Sequence, residues 1–94
     1  MALHRITKKK LLHYFEITDK ALKIAENSVR KGKENEAKEI ISMVKNYLSD
    51  SKYFQEKKDY LSSFAAINYA HGWLDCGVRL GIFNVKDNSL FVLK

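Results

Sequence analysis

Apolar side chains recur along most of the chain at alternating steps of three and four. Leu11, Phe15, Thr18, Leu22, Ala25 and Val29 form one series, and Ala37, Ile40, Val44, Tyr47, Ser51 and Phe54 a second. A mean step near 3.5 residues keeps one face of a helix turned toward its neighbours and implies a left-handed twist in the packing. Tyr60, Phe64, Ile67, His71, Leu74 and Val78 continue the pattern. The chain therefore predicts three helices, at about residues 8–31, 34–55 and 60–80, followed by a tail over 82–94.

The punctuation agrees with this division. Thr7 is placed to cap the first helix, with Ile6 and Leu11 at the two positions of a hydrophobic staple. Gly32 is the expected C-terminal cap of that helix, after Arg30 and Lys31. Glu34, Glu36 and Glu39 suit the start of the second helix, Asp59 the N-cap of the third, and Gly81 its end. Ile82 and Phe83 then stand where they can fold back on the last turn. Beyond a turn or loop over Asn84 to Ser89, Leu90 to Leu93 is a short apolar segment, strand or extended. Proline is absent, which fits few or very short loops. Short connections make successive helices antiparallel. The expectation is one all-α domain over 1–94, an up-down-up three-helix bundle. Tyr53 to Ala65 resembles a tetratricopeptide-type hairpin, but one copy makes no solenoid.

The third helix differs from the others. Besides its large apolar stripe it carries Ser63, Ala66, Ala70, Trp73 and Gly77, and a third stripe of Leu61, Ala65, Asn68, Gly72, Asp75 and Arg79. At ~100° per residue, apolar and small side chains cover about three quarters of its circumference, more than two neighbours need. The surplus calls for a further cover: the tail, a second copy, or another partner. Trp73, Gly77 and Phe91 are the candidate partner surface, although a lone tryptophan is more often a core anchor.

Four polar residues on this helix are the candidate binding strip: Asn68, His71, Asp75 and Arg79. His71 and Asp75, like Asp75 and Arg79, stand one turn apart and can meet on the helix surface. A carboxylate between imidazole and guanidinium is in principle a catalytic arrangement. The ordinary reading is a solvent-facing strip of helix-surface pairs. No nucleophile, carboxylate pair or glycine-rich phosphate loop accompanies it, so no enzyme and no cofactor is expected. His71 and Cys76 are five residues apart, and no His or Cys spacing suits a metal. Cys76 is expected to be a small, partly buried hydrophobe.

Charge is unevenly placed. Residues 1–33 hold nine cations against three acids, the whole net charge of +6, while residues 34–94 balance at eight and eight. Arg5, Lys8, Lys9 and Lys10, with His4 and His13 nearby, form a patch that can meet phosphates. Its ordinary reading is a solvated, lysine-rich helix start. No recognition-helix or RNA-binding signature goes with it. The uncharged run Leu61 to Leu74 is too short to span a bilayer, and no signal-peptide pattern is visible. One cysteine suits a reducing compartment. A cytoplasmic protein without membrane contact is expected.

The run Tyr60 to Gly81, most distinctively Ala65 to Gly81, resembles the signature of the archaeal family called domain of unknown function 357. Tyr47 to Phe54, together with Tyr14-Phe15 and Ala21-Leu22, is similar to that family's earlier helices. The resemblance covers roughly residues 7–85. It implies a cytoplasmic archaeal protein with a small helical bundle and carries no established activity or catalytic residues. The chain departs from the pattern at Cys76, where alanine is expected, and at Lys57-Lys58, where a glycine is common. Helical nuclease-associated domains of the HEPN type use arginine followed four to six residues later by histidine. Arg5 precedes His13 by more than that, and Arg79 follows His71, so RNA cleavage of that kind is not expected. The leading expectation is a non-catalytic protein-interaction or self-association module, possible homodimers included. The alternative is a nucleic-acid accessory protein using the basic first helix, and third comes a small-molecule site around His71, Asp75 and Arg79.

Overall fold

The structure, a computed structural model, describes residues 6–86 and 89–91. Its three helices are α1 (Lys8–Glu26), α2 (Glu34–Glu56) and α3 (Tyr60–Arg79). Cross-helix contacts fix their directions. Phe15 meets Lys52 while Glu26 meets Lys45, and Ser51 meets Ser63 while Tyr47 meets Tyr69. α2 therefore runs antiparallel to both other helices. Tyr14 packs on Phe64 and Thr18 on His71, so α1 and α3 run the same way. This is an up-down-up three-helix bundle.

Most of the ends follow local chemistry. Thr7 Oγ1 accepts from the Lys10 N–H at 3.1 Å, and Asp59 Oδ1 from the Ser62 N–H at 3.1 Å, each satisfying an amide at the start of a helix. α3 closes on a Schellman turn, in which Ile82 N–H donates to Gly77 O at 2.8 Å and Gly81 N–H to Val78 O at 3.1 Å. Gly81 supplies the positive φ of 77° that this turn needs. Lys58, between α2 and α3, also has a positive φ of 59°, a conformation that normally favours glycine.

The end of α1 corrects the expected boundary at 31. Asn27 Nδ2 donates to Lys23 O and Ser28 Oγ to Ile24 O, taking up carbonyls of the last turn. Residues 28–30 then pair with the segment after α3. Arg30 N–H donates to Ile82 O, Asn84 N–H to Ser28 O, and Val29 sits opposite Phe83 in an antiparallel bridge. Gly32 consequently caps nothing in α1. It turns at φ 90°, and its N–H donates to the Glu34 carboxylate.

The core is built on α3. Leu74 and Ala70 are buried in one cluster with Leu22, Ala25, Ile40 and Val44, and Ile82 and Phe83 seal the end. Ser51 and Ser63 are wholly buried but satisfied. Ser63 Oγ donates to Ser51 O at 2.9 Å, which leaves the Ser51 hydroxyl to donate to Ser63 Oγ at 2.8 Å. Side chains this small let α2 and α3 approach closely just after the tight turn joining them. α1 and α2 meet less closely, leaving a cleft of about 400 Å³ floored by Phe15, Leu22 and Leu48 and rimmed by charges.

Candidate functional site

Of the candidate polar strip, the structure brings His71 and Asp75 together. His71 lies in the seam between α1, α3 and the tail, not on a solvent-facing edge. Its Nε2 is 2.6 Å from Leu90 O, and its Nδ1 is 2.9 Å from Thr18 Oγ1. A backbone carbonyl only accepts, so Nε2–H donates to Leu90, and in the neutral ring Nδ1 accepts from the buried Thr18 hydroxyl. Asp75 Oδ1 stands 3.9 Å from Nε2, one turn on as the spacing predicts, but that proton is directed to Leu90. Arg79 is exposed in the last turn. Asn68 points elsewhere, into a hollow beside Tyr69 and Trp73. With both ring nitrogens engaged, His71 is a latch for the tail rather than a poised base.

The candidate partner surface also divides. Phe91 is buried in the chain's own core, its ring 6.4 Å from that of His71. Gly77 is buried as well. A Cβ there would overlap the Phe83 ring and stand 3.1 Å from Ile40 Cδ1, so its small size serves internal packing. Only Trp73 reaches the surface, 38% exposed. Of the basic patch, Lys8, Lys9 and Lys10 are exposed in the first turn of α1. Arg5 lies outside the described residues.

Among the described residues of the tail, Leu90 and Phe91 cover the His71 side of α3. Contrary to the expectation that protein surrounds this helix nearly everywhere, its outward face is open. Leu61 is 66% exposed, Tyr69 64% and Leu80 67%. Ala65, Gly72 and Cys76 are exposed between them. Cys76 is thus a surface thiol rather than a partly buried hydrophobe. Tyr69 leans on Tyr47 of α2 in a stacked pair with centroids 5.4 Å apart, which fixes one border of the face. Asn68, Tyr69, Gly72, Trp73 and Cys76 line a shallow hollow of about 330 Å³. From Leu61 to Val78 no fully exposed position of α3 is charged, whereas the exposed positions of α2 include Lys38, Lys45, Asp50, Lys52 and Glu56.

The family model described as "Protein of unknown function (DUF357)" matches residues 13–83. The chain belongs to this family. The DUF357 match takes in all of α2 and α3, with the whole outward face of α3, and ends at Phe83, which seals the core. Lys8, Lys9, Lys10 and the Leu90-Phe91 latch lie outside the DUF357 region. Comparison with curated proteins and with solved structures finds no match. Among the described residues, no three metal-binding side chains gather, and no helix is long and apolar enough to cross a membrane.

Proposed function

We propose that this protein is a non-catalytic interaction module whose working surface is the outward face of α3. The observation that carries this is a helical arc of leucine, tyrosine, tryptophan, asparagine and small residues whose exposed positions from Leu61 to Cys76 carry no charge, with Arg79 standing at its C-terminal end. Open side-chain surface on Leu61, Tyr69, Trp73 and Leu80 comes to roughly 500 Å², near the size at which an apolar patch on a soluble protein marks a contact site. Aromatic residues flanked by small ones are typical of such contacts. The engagement of both His71 nitrogens argues against acid–base chemistry at the polar strip. A lone exposed thiol suits a reducing interior, and we place the protein in the cytoplasm.

The test is a photo-crosslinking amino acid at position 69 in the full chain, expressed in cells of its own source. A discrete protein adduct is expected from position 69 and none from position 38, on the outer side of α2. Equal labelling at both positions, or none at 69, contradicts the reading.

A second reading rests on Lys8, Lys9 and Lys10, exposed together at the positive end of α1 and outside any ion pair among the described residues. It assigns the protein to nucleic acid. Binding to RNA or duplex DNA at ~50 mM salt that is lost by ~200 mM supports it, and no binding at the lower salt excludes it.

A further inference from the structure

Among the described residues, no packing contact calls for a glycine at position 72. It sits in the middle of α3, where glycine is roughly 1 kcal/mol less favourable than alanine. A Cβ built on it meets nothing within 4 Å, unlike the one built on Gly77 five residues later. Its φ is ordinary, so no backbone need explains it either. A helix surface opened in this way admits another backbone at close range, and within the described structure none arrives.

The exposed apolar and small residues are also arranged about a midpoint. Counting outward from between Ala70 and His71, Leu61 stands at the same distance as Leu80, Ala65 as Cys76, and Tyr69 as Gly72. In a pair of antiparallel helices related by a two-fold axis, residues at equal distances lie at the same level on opposite partners. Leucine then lies level with leucine at both ends. Small Ala65 meets small Cys76 near the midline, and the Tyr69 ring lies over the gap at Gly72. One strip is thereby complementary to itself, as an isologous interface requires.

Resting on the interaction module proposed above, we infer that the occupant of this face is a second copy of the chain, docked α3 against α3 in antiparallel register centred between Ala70 and His71. The area fits. The four large residues expose roughly 500 Å² per chain, which suits a weak pair, since stable specific pairs bury about 800 Å² per partner. A reversible dimer at micromolar concentration follows.

Sedimentation equilibrium of the full chain, with a short bis-maleimide as a register probe, tests this. Wild type is expected to show a monomer–dimer equilibrium, and Gly72→Leu to weaken it at least tenfold with an unchanged far-UV spectrum, because the space beside Gly72 is open in the monomer. Ala65→Cys is expected to give a covalent dimer through Cys76 of the other copy. Wild type is expected to give none, since its two Cys76 thiols would lie about 16 Å apart along the helices, at ~1.5 Å per residue. A monomer at ~500 µM overturns the inference, as does wild-type crosslinking as efficient as that of Ala65→Cys. If position 69 still captures a protein in cells while the purified chain stays monomeric, the second copy is excluded and the interaction face stands.

Discussion

The ring of Phe83 occupies the space that a side chain on Gly77 would need, while the equivalent space beside Gly72 is empty. Two glycines on one helix therefore do different work, and substitution separates them. Gly77→Ala forces Phe83 or Ile40 aside and is expected to lower stability by about 1–3 kcal/mol. Gly72→Ala, measured in dilute monomer, is expected to raise it by about 1 kcal/mol. Urea titration of both variants is the check, and equal effects would contradict the packing described.

Lys58 holds a left-handed backbone in the turn between α2 and α3. A side chain there carries a steric cost that glycine lacks. Lys58→Gly is expected to stabilise the protein by up to about 1 kcal/mol, less the added entropy of the unfolded chain. A loss of stability in thermal or urea unfolding would show that the turn takes another form.

The latch from His71 to the Leu90 carbonyl holds Phe91 in the core. His71→Ala removes that bond and the ring contact with Phe91. Hydrogen exchange at residues 89–91 is expected to rise tenfold or more, corresponding to about 1.4 kcal/mol, with α2 unaffected. Unchanged protection of the tail would mean that burial of Phe91 alone secures it.

Hydrogen bonds from the Ser62 hydroxyl and its backbone N–H hold the Asp59 carboxyl below its ordinary range. A carboxyl lowered on folding contributes stability that is fully present above its unfolded value, near pH ~4, and is lost as pH falls through the lower folded value. Melting temperatures between pH 6 and pH 2 should therefore fall less steeply for Asp59→Asn, which keeps a capping oxygen but no titration. Identical acid limbs would remove Asp59 as a contributor.

Thr7, Asp59 and Gly81 were legible in the sequence because each acts on neighbours within a turn, and the repeating apolar series fixed which faces meet. The end of α1 was not legible. Residues 28–30 leave the helix to pair with residues more than fifty positions away, and no local preference records that. The same distance hid the role of His71, whose spacing to Asp75 reads as a surface pair until Thr18 and Leu90 arrive on its two nitrogens. Gly77 read as a partner residue because a stripe pattern shows which side chains lie together, not whether the chain itself covers them, and Phe91 because a short apolar tail does not record what it packs on. The surplus apolar arc of α3 was legible as a surplus. Its centre on Ala65, Tyr69, Gly72 and Cys76 emerged only once the tail had taken the other side.

Trp73 is the single tryptophan and stands at the border of the open face. Its fluorescence therefore reports directly on whether that face closes. Emission and acrylamide quenching should be followed from ~0.1 to ~300 µM protein. A saturable blue shift with falling quenching, absent in Gly72→Leu, is the expected result. An indole equally open to water and quencher across the whole range would contradict the account.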